Sequence, residues 1–182
     1  MIDIPCVILA GGKSSRMGED KCFLPFKQTT LIEYQYNRLS KIFQKVYISS
    51  KTNKFDFPCD IIYDNDDNIS SPMVALRSIL ETIEDKVFII TVDTPLVKES
   101  TILELLKYDD FDTVIAQDEL KVHNLCGVFS KSTLNIVNQL LDQNIHKINY
   151  FLKQISNIKY IKFDDKKQFL NLNNYNDYKI IL

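Results

Sequence analysis

Four brief stretches of this chain, residues 6–10, 46–49, 61–63 and 87–92, carry apolar side chains in near-continuous runs rather than in alternation. A strand with only one face on a core alternates, so continuous runs of β-branched and aromatic residues are expected of strands covered on both faces. Further runs over Thr113–Gln117, 125–129, 158–163 and 169–172 extend the series. Between them apolar residues recur at helical spacing. Leu31, Tyr34, Leu39 and Ile42 share one stripe, and Met73, Leu76, Ile79, Leu80 and Ile83 a second. Ile102, Leu103, Leu105 and Leu106 belong to a third, and Leu134, Ile136, Val137, Leu140 and Leu141 to a fourth. Shorter helices are expected over 148–155 and 175–181. Strand–helix alternation of this kind predicts an α/β fold whose central sheet is mostly parallel, with right-handed crossovers.

No repeat and no Pro/Gly/Ser-rich linker interrupts the pattern, and the Lys- and Asn-rich character after residue 140 reads as compositional drift. The 182 residues are therefore expected to form a single domain, 1–182. Apolar residues make up 45% of the chain, enough for a core, and charged residues 25%, which argues against a disordered or membrane class. A net charge of -2 offers no basic footprint, so no nucleic-acid partner is expected. Cys6, Cys22, Cys59 and Cys126 stand singly, without the paired spacing of a zinc or dithiol redox motif. Isolated cysteines suit a reducing compartment. The opening Ile4-Pro5-Cys6-Val7-Ile8-Leu9 has no basic region before it and soon meets glycine and charge, so neither a signal peptide nor a spanning helix is expected. The expected location is the cytoplasm, without membrane association.

Of four glycines, Gly11, Gly12 and Gly18 fall in the one segment that follows the first apolar run. Glycine lets the backbone leave a strand sharply and brings bare N–H groups against phosphate oxygens. Lys13, Arg16 and Lys21 add charge-assisted donors, and Ser14 and Ser15 can bond phosphate or cap a turn. Two other phosphate loops are excluded. A Walker A loop needs glycine five residues before Gly12, where Val7 stands, and a dinucleotide fingerprint needs a G-x-G-x-x-G spacing that these glycines lack. The competing reading is a solvated loop with incidental charges.

A second feature is Asp93-Thr94-Pro95, directly after the run over 87–92. A carboxylate at the carboxyl end of a buried strand lies where open α/β sheets hold ligands. Mg²⁺ takes one or two carboxylates plus phosphate oxygens, so Asp93 suits that ion. The alternative is a plain turn cap. Asp64, with Asp66 and Asp67 close behind, follows another strand, and a solvated acidic turn is the competing account there. Asn171 and Asn173 would share one face if 169–172 continues as a strand; they could equally be turn residues in an Asn-rich tail.

The pattern L-A-G-G-x-S-x-R-M-G-x-D-K, running from Leu9 through Gly18 to Asp20 and Lys21, resembles the signature of the molybdenum cofactor guanylyltransferases, the MobA type. These sit in a superfamily of nucleotidyltransferases with sugar-phosphate and cytidylyl members. With the matching segments near Asp64, Asp93, His123 and Phe169, the resemblance spans residues 9 to 173. It implies a three-layer Rossmann-like nucleotidyltransferase fold. It also implies transfer of GMP from GTP to the terminal phosphate of Mo-molybdopterin, with Mg²⁺ as cofactor and release of pyrophosphate. By the resemblance, Leu9, Ala10, Gly11, Gly12, Lys21, Asp64 and Asp93 would bind GTP, and Asp93 would hold the metal. Arg16, Lys21 and Asp93 would be catalytic, with Arg16 on the leaving end of the triphosphate. Asn171 and Asn173 would bind molybdopterin. Molybdopterin-synthesis proteins and molybdoenzymes are the implied protein partners.

The chain departs from the family pattern in places. Val92 precedes the aspartate, Ser71 and Ala75 replace usual glycines around Pro72, and His123-Asn124 stands for His-Pro. Ser71 is expected to cap a helix, and the two replacements, with the region around Ser49–Asn53, bear on base selectivity. His123 is read as structural or substrate-lining, because phosphoryl transfer needs little proton chemistry. Cys22 and Cys126 are read as buried fillers. The alternatives are a cytidylyltransferase acting on molybdopterin, a sugar- or polyol-phosphate nucleotidyltransferase, and a non-enzymatic nucleotide-binding chaperone for molybdoenzymes. Retention of both Lys21 and Asp93 argues against the last.

Overall fold

The structure, a computed structural model, describes residues 1–11, 20–64, 69, 71–172 and 177. Its strands are β1 (Cys6–Leu9), β2 (Pro25–Phe26), β3 (Thr29–Thr30), β4 (Val46–Ser50), β5 (Asp60–Tyr63), β6 (Lys86–Thr91), β7 (Thr113–Gln117), β8 (Val122–Ser130) and β9 (Ile158–Lys162). The helices are α1 (Leu31–Leu39), α2 (Pro72–Thr82), α3 (Glu99–Leu105), α4 (Leu134–Asp142) and α5 (Ile148–Gln154). Seven strands form one sheet in the order β5-β4-β1-β6-β8-β7-β9, and β2 pairs with β3 in a separate hairpin. Neighbours in the large sheet run parallel except that β8 is antiparallel to both β6 and β7.

The near-continuous apolar runs are explained by helices on both faces. Cys6, Ile8, Phe88 and Ile90 point into a core with Leu31, Ile32 and Leu39 of α1 and with Ile102 and Leu105 of α3. Their neighbours Val7, Leu9, Val87 and Ile89 point the other way, onto Leu76, Ile79 and Leu80 of α2, Leu140 of α4 and Phe151 of α5. Adjacent residues of one strand thus feed opposite cores, giving three layers. The chain leaves β1 to one side, through α1 to β4 and β5, and returns through α2 to β6 on the other side. This reversal of strand order makes a crevice at the carboxyl ends of β1 and β6, where such sheets bind ligands.

Local choices fix the entries to the helices. Thr30 Oγ1 accepts the Glu33 N–H at 3.4 Å and opens α1. Ser71 Oγ accepts the Val74 N–H at 3.2 Å and opens α2, with Pro72 in the first turn. The fourth glycine, Gly127 in β8, is demanded by packing: a Cβ there would sit 2.0 Å from the Val114 carbonyl oxygen. That close approach falls where the β7–β8 register shifts between Ile115 and Gln117.

Two expectations are corrected. Residues 169–172 are not a strand: Lys166–Phe169 is a 3-10 turn, opened by Asp165 Oδ1 on the Lys167 N–H at 3.1 Å. Beyond it Leu172 gives its N–H to the Asp93 carbonyl at 2.8 Å instead of to a strand neighbour. The strand alternation that would have paired Asn171 with Asn173 therefore does not apply. The run at 125–129 is the inner part of β8, which starts at Val122, paired with Gln117, and so includes His123 and Asn124 despite their polarity. The β2–β3 hairpin has no glycine or asparagine in its turn, where Lys27 and Gln28 take positive φ values of 43° and 73°. The helix expected at 175–181 lies outside the described residues apart from Asp177.

Candidate active site

Four parallel strands end along the same edge, and each delivers a polar group. From β1 the chain passes to Ala10, whose N–H donates to the Ser49 carbonyl at 3.0 Å, and on to Gly11. A Cβ on Gly11 would lie 3.8 Å from Asp64 Oδ2, an ordinary contact, so packing alone does not require glycine here. What its bare Cα provides is an open backbone facing Asp64. Asp64 follows β5 and accepts the Ser49 hydroxyl on Oδ1 at 3.0 Å. Its burial raises the carboxyl pKa above the usual aspartate range, with the Ser49 hydrogen bond and nearby Lys51 acting against the shift.

Lys21 opens a 3-10 turn, Lys21–Phe23, that Asp20 starts by accepting the Cys22 N–H on Oδ1 at 3.1 Å. The other oxygen of Asp20 is paired with Lys54 Nζ, which also lies over the rings of Phe23 and Phe55. Burial pushes the Asp20 pKa up, but the Lys54 hydrogen bond and the Cys22 N–H outweigh it and leave the carboxyl below its usual range. Cys22 Sγ reaches the Ala10 carbonyl at 3.4 Å, tying the turn to the end of β1. Burial pushes its thiol up to about 12, and that of Cys126 likewise, so neither is a thiolate nucleophile. The sequence reading of both as fillers stands.

The turn delivers Lys21 Nζ to within 3.5 Å of Asp93 Oδ2, with the two side chains only 20% and 18% exposed. Asp93 follows β6. Its other oxygen, Oδ1, accepts the Thr91 hydroxyl at 2.6 Å, which turns Oδ2 toward Lys21. At 3.5 Å the pair is at the long limit of a hydrogen bond, so Oδ2 keeps acceptor capacity. On the far side of Asp93 lies a cleft of about 350 Å³ lined by Thr91, Thr94, Lys121, His123, Asn124, Cys126 and Asn171, among others. His123 is fixed there by Asp118 Oδ2 on Nε2 at 2.9 Å and stacks on Phe169 with ring centroids 4.0 Å apart. Burial lowers its pKa, and Asp118 opposes that shift. A larger cavity of about 530 Å³ opens at the opposite, amino edge of the sheet beside Asp3, Lys45 and Glu84. It is remote from the strand ends that gather the charged groups.

The structure therefore brings Leu9, Ala10, Gly11, Lys21, Asp64 and Asp93 to one edge and sets Asn171 beside Asp93. Gly12, Arg16 and Asn173 lie outside the described residues, as do Lys13, Ser14 and Ser15. Among the described residues no group of three His, Cys, Asp or Glu side chains could hold a metal alone. That donor set is compatible with Mg²⁺, which commonly takes one or two carboxylates and completes its shell with water and substrate phosphate. The sequence did not disclose the supports Thr91 and Lys54, or the bond by which Ser49 holds Asp64. Thr91 stands two residues before Asp93, a spacing that sets both on one face of a strand end, and was the one legible signal.

A Gly-containing loop after β1, a lysine, and a carboxylate after β6 at a topological switch point describe a protein built to hold nucleoside phosphates. The MobA-like NTP transferase domain family matches residues 6–158, so the chain belongs to that family. A protein of Campylobacter jejuni subsp. doylei, named molybdenum cofactor guanylyltransferase, is 39% identical over 181 residues, covering 97% of this chain and 94% of its own. The crystal structure of molybdopterin-guanine dinucleotide biosynthesis protein A from Archaeoglobus fulgidus superposes with a TM-score of 0.85 at 20% identity, covering 98% and 96% of the two chains. A Mycobacterium tuberculosis protein solved in complex with manganese shares the fold, with a TM-score of 0.71 at 15% identity, covering 100% and 98%.

Proposed function

We propose that this chain is a molybdenum cofactor guanylyltransferase, transferring GMP from GTP to Mo-molybdopterin. The observation that carries the reading is the approach of Lys21 Nζ to Asp93 Oδ2 at 3.5 Å from 72 positions apart, at the crevice between β1 and β6. An oxygen of the acceptor's terminal phosphate attacks the α-phosphorus of GTP, the bond from that phosphorus to the bridging oxygen breaks, and pyrophosphate leaves. The acceptor phosphate is already a nucleophile, so the site needs no activating base, and the low-pKa His123 beside the cleft is not asked to be one. Catalysis then rests on alignment and on neutralising charge.

In this reading the backbone of Leu9, Ala10, Gly11 and Gly12 cradles the triphosphate, and Lys21 moves from Asp93 onto phosphate oxygens. Arg16 meets the leaving pyrophosphate. Asp64, held by Ser49, accepts a hydrogen bond from the nucleoside. Asp93, its Oδ1 kept by the Thr91 hydroxyl, would hold Mg²⁺, and the ion would supply positive charge against the phosphates. Asn171, Lys121 and Asn124 receive the molybdopterin in the cleft beside Asp93, and Asn173 contributes to that binding. Four free thiols suit a reducing cytoplasm, and among the described residues no helix is long and apolar enough to cross a membrane. Molybdopterin-synthesis proteins and molybdoenzymes are the proposed partners before and after the reaction.

The test is pyrophosphate release with Mg²⁺ and Mo-molybdopterin, comparing GTP with CTP, ATP and UTP. Release that depends on GTP, on acceptor and on Mg²⁺ together supports the assignment. Equal or better release from CTP moves the chain to the cytidylyl branch, and tight nucleotide binding with no release removes the enzymatic reading.

A further inference from the structure

Asp93 sits on a turn over residues 92–96 whose two ends are held from below by two linked side chains of α1. Arg38 donates through Nη1 to the Val97 carbonyl at 2.6 Å and through Nε to Gln35 Oε1 at 2.8 Å. Gln35, fully buried, donates through Nε2 to the Thr91 carbonyl at 3.2 Å. Arg38 Nη2 is sealed from solvent and finds no acceptor among the described residues. A desolvated guanidinium with one nitrogen unsatisfied is costly, so its place is justified by the two bonds it makes. Both run to the same turn, one directly and one through Gln35.

Thr91 and Val97 bracket Asp93. Thr91 is also the residue whose hydroxyl holds Asp93 Oδ1 at 2.6 Å, and its carbonyl receives the Thr94 hydroxyl at 3.0 Å as well as Gln35. Rotating the Thr91 peptide would move the hydroxyl that aims Asp93. The planar fork of arginine can serve two acceptors at fixed angles, and a lysine ammonium cannot reproduce it.

We propose that Arg38, acting through Gln35, is a positioning residue that sets the orientation of Asp93 toward the metal–nucleotide. The inference rests on the reading of Asp93 as the metal carboxylate. Arg38 and Gln35 touch neither substrate nor metal; they hold the backbone on which the metal-facing oxygen turns. Partners of this outer kind typically change metal affinity or activity by about 10–100-fold when removed.

Mn²⁺ serves as the probe, its binding read by electron paramagnetic resonance in the presence of a non-hydrolysable GTP analogue, beside the Mg²⁺ concentration for half-maximal activity. Arg38→Lys and Gln35→Met are compared with wild type and with Leu140→Ala, a core variant on the opposite face of the sheet that lowers stability without touching the turn. The expected result is Mn²⁺ binding weakened about tenfold in both Arg38→Lys and Gln35→Met, a matching rise in the Mg²⁺ requirement, and analogue binding without metal unchanged. Leu140→Ala keeps wild-type metal affinity. The double variant loses less than the sum of the two single ones, because they share the link from Arg38 through Gln35 to Thr91. Should Arg38→Lys not fold, Gln35→Met alone decides. Wild-type Mn²⁺ affinity in the folded variants, with only a lower Tm, reduces Arg38 to a structural role and overturns the proposal. If Asp93→Asn in the otherwise wild-type chain binds Mn²⁺ and analogue undiminished, the metal reading itself fails and this inference with it.

Discussion

Ser49 donates its hydroxyl to Asp64 Oδ1 at 3.0 Å, joining the ends of two adjacent parallel strands at the edge where the nucleotide is proposed to bind. Burial makes the ionised form of Asp64 costly, and the single hydroxyl offsets only part of that. The folded protein holds this proton more tightly than the unfolded chain does. Its stabilising contribution is therefore fully present below the ordinary aspartate pKa of about 3.9 and is lost as pH rises through the higher folded value. Asp64→Asn keeps the acceptor for Ser49 and removes the charge. Thermal unfolding should show the variant above wild type at neutral pH, with the gap closing as pH falls toward about 4. Nucleotide binding, by calorimetry, should weaken in the same variant; a variant no more stable than wild type at neutral pH would show that the buried charge is compensated.

On the proposed reading, Lys21→Ala removes a donor to the phosphates. Loss of one such preorganised donor should lower turnover by roughly 10²–10³. Asp93→Asn should abolish the response to Mg²⁺ together with most activity. Both are read in a saturating pyrophosphate-release assay, and wild-type turnover by the lysine variant would remove it from the mechanism.

Gly127→Ala should be clearly destabilising. The added Cβ meets backbone, the Val114 carbonyl, at 2.0 Å, with Ile115 close behind. A side chain could swing away; a paired strand cannot. The expected cost is about 3 kcal/mol, the upper part of the usual overpacking range, or a Tm lower by about 6–12 °C in a chain of this size. Differential scanning calorimetry reads it directly, and a shift of a degree or two would mean that β7 gives way.

Gln28→Gly should do the reverse. Gln28 sits at φ 73° in the β2–β3 turn, where a side chain is disfavoured and glycine is not. Relief of about 1–2 kcal/mol, less the greater freedom glycine has when unfolded, leaves a gain of about 0.5–1 kcal/mol. Denaturant midpoints with an unchanged slope would register it, and an unchanged midpoint would mean that the turn carries no strain.

Much of the frame was legible because burial on two faces writes itself into composition. Thr113–Gln117 was read to the residue, and the stripes from Leu31, Met73 and Leu134 each became a helix. Direction was not legible: apolar periodicity is the same whichever way a strand runs, so nothing in Leu125 to Phe129 marked β8 as reversed. Length failed where polar residues enter a sheet, as at His123 and Asn124. The tail failed for a local reason, since Asp165 starts a turn that its neighbours Lys166 and Lys167 do not advertise. At the site, residues that carry charge at strand ends were visible, and Lys21, Asp64 and Asp93 meet along one edge. Their supports were not, because Gln35 and Arg38 look like the polar face of an amphipathic helix until α1 is placed beneath the turn at Asp93.

The reversal of β8 has a consequence for how the protein can change. Since β8 runs back between β6 and β7, the hairpin tip at residues 118–121 arrives at the same rim as Asp93, and Lys121 and Val122 line the cleft there. The strands that carry Gly11, Ser49 and Asp64 lie on the other side of β6, and none of them is hydrogen-bonded to that hairpin. Residues can be inserted or exchanged at the tip without shifting the register of the nucleotide half. Under the proposed reading, acceptor preference and donor preference sit on separate pieces of one rim, so relatives can diverge in the first while inheriting the second intact.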